Sequence, residues 1–109
     1  MSKTTFPQGS LPLLLLKLLA QGGPQHGYAI TLRIEQLSKD ILSVEEGSLY
    51  PALHRLEESG WIKAKWTVTE NNRRARMYEI TGQGRKQLEI DEKRWRVATA
   101  AVARILRFA

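Results

Sequence analysis

The chain has 109 residues, a length that fits one domain with one modest core. Seventeen Lys and Arg residues against eleven Asp and Glu residues give a formal net charge of +6. Such a charge is typical of a protein with a polyanionic partner, either nucleic acid or an anionic membrane face, although a merely basic protein has the same composition. The sequence contains no cysteine, which excludes disulfides, thiolate metal sites and thiol nucleophiles.

The only candidate membrane or signal segment is the apolar stretch "LPLLLLKLLA", residues 11 to 20. Its apolar run is about half of the roughly 20 residues that a spanning helix needs, and Lys17 interrupts it. We therefore expect a cytoplasmic protein with no membrane partner. Ser10 as the N-cap and Pro12 in the first turn predict a buried first helix from about 10 to 21. Its apolar stripe consists of Leu11, Leu14, Leu15, Leu18 and Leu19.

The segment "QGGPQHG" ends the first helix, and a second helix is predicted from His26 or Gly27 to about Ser38 or Lys39. Its expected inward residues are Ile30, Ile34 and Leu37.

A third helix is predicted within "EEGSLYPALHRLEESGWI", residues 45 to 62, although Gly47 and Pro51 lie in its first half. If Ser48 is the N-cap, Pro51 falls in the first turn, where its missing N–H has no helical partner. If instead Ser43 and Glu46 form a capping box, the proline removes the bond to Gly47, and the missing side chain of that glycine eases the clash. Both starts remain open. The apolar positions are Leu49, Ala52, Leu53 and Leu56, and Gly60 ends the helix.

The residues after Trp61 change to a period of two, which predicts a half-buried strand. The inward residues are expected to be Ile62, Ala64, Trp66 and Val68, and the outward ones Lys63, Lys65, Thr67 and Thr69. The segment "TENNRR" is rich in turn formers, and "ARMYEI" resumes the alternation as far as Ile80. These runs predict an antiparallel hairpin with a basic tip.

Thr81 is a good N-cap for a last helix that continues to Phe108, over about 27 residues or roughly 40 Å. A chain of this size can cover only part of such a helix, so we expect it to pair with a second copy of the chain. We accordingly divide the chain into a domain of residues 1 to 81 and a C-terminal dimerisation helix of residues 82 to 109.

The predicted fold is mainly α with a small β-hairpin. Three helices followed by a hairpin are typical of a winged helix-turn-helix, and the long last helix is added to it.

Several ordered motifs resemble the PadR family of bacterial transcriptional regulators. They are "HGYAI", "GSLYPALHRLEESGWI", the following "W", "RRARMYEIT" and "GQGR", and they cover roughly residues 10 to 85. The chain is similar to the compact members, which have one C-terminal helix. The resemblance implies a dimeric winged-helix repressor that binds double-stranded DNA, with most of the dimer contact made by the last helix.

The outer face of the third helix is expected to enter the major groove, with contacts from Ser48, Tyr50, His54 and Arg55. Three plainer interpretations stay open: Arg55 could pair with Glu58 or Glu35, His54 could be merely solvated, and Tyr50 could pack on the second helix.

The hairpin tip is expected to contact the DNA backbone or minor groove. Its residues are Asn71, Asn72, Arg73 and Arg74. Lys63 and Lys65 would extend the positive field with less specificity. A charged tip that only keeps the sheet edge soluble is the alternative.

The predicted dimer interface combines the first and last helices. It consists of Leu11, Leu14, Leu15, Leu88, Trp95, Ala98, Val102 and Ile105. Trp95 is also the candidate for contact with a small aromatic or apolar effector, because the resemblance implies a space between paired helices that accepts flat molecules. Its alternative is ordinary packing in the dimer seam.

Two functions from different classes are compatible with these patterns. The first is a dimeric repressor that binds a pseudo-palindromic operator and is released by a ligand at the dimer interface. The second is a winged-helix module that binds a protein partner, with DNA incidental. An enzyme is not expected, because His26 and His54 lie on different elements and no nucleophile and base are paired. No cofactor or metal is expected either.

Overall fold

The computed structural model describes residues 6 to 109, and residues 1 to 5 of the predicted N-terminal domain lie outside the described residues. The helices are α1 (Ser10–Gly22), α2 (Gly27–Leu37), α3 (Glu46–Glu58) and α4 (Gly82–Phe108), and the strands are β1 (Gln25–His26), β2 (Ile62–Val68) and β3 (Arg74–Ile80). The element order confirms the predicted fold, a winged helix-turn-helix followed by a long helix.

Helix α1 is the centre of the core, in contact with the other three helices and with β3. Leu15, Leu16 and Leu19 are fully buried, so the apolar surface of α1 is wider than the predicted stripe. Ser10 is not the N-cap, because the helix follows Gly9 and the Ser10 hydroxyl donates to the carbonyl of Pro7 at 2.6 Å. Within residues 6 to 109, no helix has both the length and the apolar character that crossing a membrane requires.

Helix α2 begins at Gly27 as predicted and buries Ile30 and Ile34. The prediction that Leu37 lies inward is wrong, since its side chain is 58% exposed. Leu37 is the last residue of α2, and Lys39 and Asp40, just after it, have left-handed backbone conformations.

The sheet has three strands, in the order β1-β3-β2. The predicted hairpin pairs Ile62 with Ile80 at its root and Val68 with Arg74 at its far end. The two-residue strand β1 adds to the other edge of β3, where Gln25 lies opposite Tyr78. The start of α2 is therefore joined to the hairpin by backbone pairing.

Only the root of the hairpin belongs to the core. Ile62 and Ile80 are buried, whereas Trp66 and Val68 are 59% and 65% exposed. The prediction that the inward side of β2 continues to Trp66 and Val68 is therefore wrong, because the core ends at Ile62 and Ala64. This projecting part, residues 66 to 76, is called the wing below.

Helix α4 is fixed to the root of the hairpin by its first turn. The Thr81 side chain caps it, as predicted, by accepting from the N–H of Gly84 at 3.0 Å. Gly84 is buried against the hairpin root: a Cβ there would overlap the carbonyl oxygen of Trp61 and lie 2.8 Å from Ile80 Cγ1. Residues 96 to 109 are exposed along their whole length.

Candidate nucleic-acid interface

Helix α3 has one buried and one open face. Its buried residues are Leu49, Ala52, Leu53 and Leu56, as predicted. Its exposed residues include Ser48, Tyr50, His54 and Arg55. The structure thus brings the four predicted α3 contacts to one solvent-facing surface.

The start of α3 differs from both predicted starts. The helix begins at Glu46, and the residue before it, Glu45, makes no side-chain cap. Instead, the carbonyl oxygen of Glu45 accepts from the N–H groups of Ser48 and Leu49, each at 2.9 Å. Ser43 and Ser48 are therefore not the caps, because backbone bonds to one carbonyl close the first turn.

Pro51 lies inside α3, one turn after Gly47. A Cβ on Gly47 would have open space around it. The missing side chain therefore does not relieve the clash of the proline ring, which involves the carbonyl of the preceding turn. What Gly47 does provide is an uncovered stretch of backbone at the exposed start of α3.

Tyr50 packs on α2, as the plainer interpretation proposed, and yet stays 43% exposed. A Cβ on Gly27 would lie 2.7 Å from the Tyr50 hydroxyl oxygen and 3.0 Å from two ring carbons. The glycine at the start of α2 therefore leaves room for the Tyr50 ring, which orients its hydroxyl at the edge of the α3 surface.

His54 and Arg55 occupy the middle of the open face. The Nε2 atom of His54 lies 3.5 Å from Glu58 Oε1, and both side chains are about two-thirds exposed. Glu58 therefore faces His54 and is not the ion-pair partner that Arg55 could have had. A pair this exposed contributes little and leaves His54 accessible.

The wing tip is a five-residue turn held by Thr69. The N–H of Thr69 donates to the Arg73 carbonyl at 2.8 Å, and the N–H of Arg73 donates to the Thr69 hydroxyl at 3.2 Å. Asn72 has a φ of 59°, a left-handed conformation that asparagine tolerates. The turn leaves Asn72, Arg73 and Arg74 exposed.

An ion pair ties the wing to α3. The Arg76 guanidinium on β3 donates to Glu57 Oε1 on α3 at 2.8 Å, and the two side chains are only 36% and 19% exposed. Arg76 also lies 5.8 Å from the Trp66 ring centroid and 5.9 Å from that of Tyr78. These contacts fix the position of the wing relative to the exposed face of α3. This ion pair was not predicted from the sequence.

Lys63 and Lys65 lie on the face of β2 opposite to Trp66, since side chains alternate along a strand. Both are exposed, and Lys63 Nζ lies 3.7 Å from Glu79 Oε1 across the hairpin. The charge of Lys63 is thus partly balanced within the sheet, while Lys65 faces solvent.

A groove of about 710 Å³ separates α3 from the wing. Tyr28, Tyr50 and His54 line its helical side, and Trp66, Arg74 and Arg76 line its strand side. Arg74 lies 4.9 Å from the Trp66 ring centroid. Tyr28, Trp66 and Arg76 were not among the predicted site residues. The closeness of Trp66 to the turn-forming "TENNRR" is the one sequence signal that could have indicated its exposure.

The predicted dimer residues fall into two groups. Ala98, Val102 and Ile105 are exposed on α4, and Leu11 and Leu14 are half-buried on α1. Leu15 has no exposed surface and Leu88 only 8%, because both pack in the core of their own chain. Leu15 therefore offers nothing to a partner copy, and Leu88 offers little. Further exposed apolar side chains on α4 are Ile90, Val97, Leu106 and Phe108.

Trp95 is half-buried against the core and borders a cavity of about 470 Å³ between α1 and α4. At its edge, Glu92 accepts from Arg96 at 2.8 Å and from Lys17 at 3.1 Å. These hydrogen bonds, that from Arg96 first, hold the pKa of Glu92 below its ordinary value of 4.5. The cavity thus combines an indole ring and leucine side chains with a charged rim.

The two histidines do not form a metal site. His26 contacts the backbone of β3, with Nδ1 3.0 Å from the Arg76 carbonyl oxygen, while His54 lies on α3. Within residues 6 to 109, no group of three or more His, Cys, Asp or Glu side chains could hold a metal ion.

Residues 15 to 90 match the model of the transcriptional regulator PadR-like family. The chain is 37% identical over 68 residues to a transcriptional regulator of Mycobacterium tuberculosis, a match that covers 62% of this chain and 60% of that protein. A second relative, a 37.1 kDa protein of a Streptomyces fradiae transposon, is 43% identical over 77 residues, which are 71% of this chain and 20% of that protein. The chain thus spans less than two-thirds of the length of either relative.

Solved structures share the fold. A transcriptional regulator from Clostridium thermocellum superposes with a TM-score of 0.81 at 28% identity, covering 89% of this chain and 93% of that one. Bacillus subtilis PadR in complex with operator DNA superposes with a TM-score of 0.66 at 28% identity, covering 76% of this chain and 46% of that one. The family match and these structural neighbours are consistent with the winged-helix arrangement of α3 and the wing. The chain therefore belongs to the PadR-like family of transcriptional regulators, which are DNA-binding proteins and not enzymes.

Proposed function

We propose that this chain is a dimeric repressor that binds a pseudo-palindromic operator. The exposed face of α3 enters the major groove, and the wing tip contacts the flanking backbone. The two copies of α3 lie in successive major grooves, about 34 Å apart. Occupation of the operator blocks a promoter, and the protein acts in the cytoplasm, where a bacterial chromosome lies.

The observation that carries the proposal is the placement of two unlike surfaces on one side of a small basic domain. The polar face of α3, with Tyr50 and His54, and the strand side of the wing, with Arg74 and Arg76, line the same groove. The ion pair between Glu57 and Arg76 holds them together. A neighbour with the same fold has been solved on operator DNA.

The wing supplies the sharpest test. Arg73→Ala combined with Arg74→Ala removes two exposed guanidinium groups from the tip. We expect the affinity for duplex DNA to fall, and the slope of log affinity against log salt to become less steep by about 0.9 for each phosphate that the variant no longer neutralises. Fluorescence anisotropy over a series of salt concentrations measures both quantities.

The matched control is Arg85→Ala combined with Lys86→Ala, which removes two exposed positive charges from the first turns of α4. This variant lowers the net charge by the same amount but leaves the wing intact, so its affinity should stay close to that of the unchanged protein. If both variants lose the same affinity, the wing contributes only through the net charge of the protein and not through specific contacts. If the unchanged protein does not bind duplex DNA either, the protein is the protein-interaction module instead.

Dimerisation is proposed to occur through α4. The last fourteen residues, 96 to 109, touch little of their own chain and stay exposed. Val102 and Ile105 are 54% and 64% exposed and continue the near-heptad line that begins at Trp95. Apolar side chains exposed along one helix are typical of a surface that a partner covers. Leu11 and Leu14 on α1 complete the proposed interface.

A small aromatic or apolar effector is proposed to bind beside Trp95. The cavity there has about 470 Å³, within the range of sites for small ligands. Leu13 and Leu14 provide apolar contact, and Trp95 provides a ring on which a flat molecule stacks. Because the cavity adjoins α4, a bound effector would change the orientation of the two copies relative to each other and lower the affinity for DNA.

A further inference from the structure

Trp66 is an exposed aromatic residue on the wing. Its side chain is 59% exposed, and the guanidinium of Arg74 lies 4.9 Å from its ring centroid. Its partner across the hairpin is Arg76, which reaches Glu57 on α3. Trp66 therefore stands on the sheet face that looks toward α3, and burial in the core does not account for it.

The surroundings of Trp66 are both aromatic and cationic. Across the groove lie Tyr28, which is 71% exposed, and Tyr50, which is 43% exposed. Arg74 and Arg76 stand on the strand side, beside the indole. Flat apolar rings thus lie next to positive charges in a groove of about 710 Å³.

This combination fits the sugar–phosphate backbone of DNA. A nucleic-acid strand presents an apolar deoxyribose face and an anionic phosphate in turn, and guanidinium groups are suited to the phosphates. Arg76 is already paired with Glu57, but Arg74 has no such partner among residues 6 to 109, so a neutral aromatic molecule would use the rings and leave the charge of Arg74 uncompensated. The charge of +6 on the whole chain favours the polyanion as well.

We propose that Trp66 is a DNA-contact residue, which packs its indole on a deoxyribose of the strand that passes between α3 and the wing. Its stacking on Arg74 holds that guanidinium over the adjacent phosphate. Trp66 is thus both a contact and a positioning residue for Arg74. The inference rests on the proposed function, since it requires that α3 and the wing face DNA.

The contact is to backbone, so a duplex of about 30 base pairs with one fixed, arbitrary sequence is a sufficient probe. We expect Trp66→Ala to weaken binding about tenfold. Arg74→Ala should weaken it to a similar degree, and the double variant should lose clearly less than the product of the two single losses, because the residues act together. The control is Leu37→Ala, which truncates an apolar side chain of nearly equal exposure, 58%, at the far end of α2.

Fluorescence provides a readout that a merely structural role would not move. The chain has three tryptophans, and if Trp66 touches DNA, the intrinsic emission should change on addition of the duplex. That change should be absent in Trp66→Phe, which keeps an aromatic ring and so protects the fold.

The outcomes separate this inference from the proposed function. If the unchanged protein does not bind the duplex even at low salt, where phosphate contacts let a DNA-binding protein bind any sequence, the proposed function fails and this inference with it. If the protein binds and Trp66→Ala binds as tightly as Leu37→Ala, only the inference is overturned. An emission change that persists in Trp66→Phe also overturns it, whereas weaker binding together with the disappearance of the emission change supports it.

Discussion

Gly84 offers the most direct test of how α4 is attached to the winged helix. In Gly84→Ala, the new Cβ would overlap the carbonyl oxygen of Trp61 and come within 2.8 Å of Ile80 Cγ1. A side chain such as that of Ile80 can rotate, but a backbone carbonyl at the root of the hairpin cannot. The substitution therefore forces α4 away from the hairpin.

The size of the effect follows from two opposing contributions. Alanine is about 1 kcal/mol more favourable than glycine inside a helix. Overpacking of a tight contact costs about 1–3 kcal/mol, with the upper end applying where the backbone must move. We expect a net loss of about 2 kcal/mol in the free energy of unfolding, out of about 5–15 kcal/mol for a domain of ordinary stability. The melting temperature should fall by about 8 °C.

Urea denaturation followed by far-UV circular dichroism measures this loss, and Gly82→Ala is the matched control. Gly82 is in the same first turn, and a Cβ there meets nothing within 4 Å. The control should be unchanged or more stable by up to about 1 kcal/mol. If Gly84→Ala proves as stable as Gly82→Ala, the close approach to Trp61 does not limit the position of α4.

Two further predictions concern the proposed dimer and the proposed effector. Val102→Asp should convert the proposed dimer to a monomer of 12.4 kDa, because an unpaired carboxylate in the apolar dimer interface costs several kcal/mol. The control Ala100→Asp, about 160° round the helix from Val102, should stay dimeric. Light scattering after gel filtration distinguishes dimer from monomer. If Val102→Asp is still a dimer, the interface does not include Val102. The naphthalene dye ANS should gain fluorescence with the unchanged protein and lose most of that gain with Trp95→Ala. Equal gains in both would place the dye elsewhere, and Trp66→Ala is the control.

Much of the fold follows from local patterns. The four helices, the hairpin and the cap at Thr81 were predictable because each depends on residues within a few positions of one another. Strand β1 was not, since two residues are too short for a periodic pattern and its partner Tyr78 lies far along the chain. The start of α3 was missed because a backbone carbonyl, that of Glu45, replaces the side-chain cap that sequence patterns reveal.

The site was predicted less completely than the fold. Helical spacing identified the open face of α3, and turn formers identified the wing tip. Alternation placed Trp66 on the correct side of β2 but could not show that the core ends before it. The ion pair between Glu57 and Arg76 joins residues on different elements, and no local spacing encodes it. Long-range pairing and the extent of the core are therefore what the sequence alone left open.

The tight packing at Gly84 couples the orientation of α4 to that of the winged helix. Because the first turn of α4 packs directly on the root of the hairpin, a rotation of α4 also rotates the winged helix attached to it. Over a helix of about 40 Å, each degree of rotation at one end displaces the other end by about 0.7 Å. In the proposed dimer, a change of a few degrees in the crossing angle of the two α4 helices would therefore change the spacing of the two α3 helices, so that it no longer matches the helical repeat of DNA.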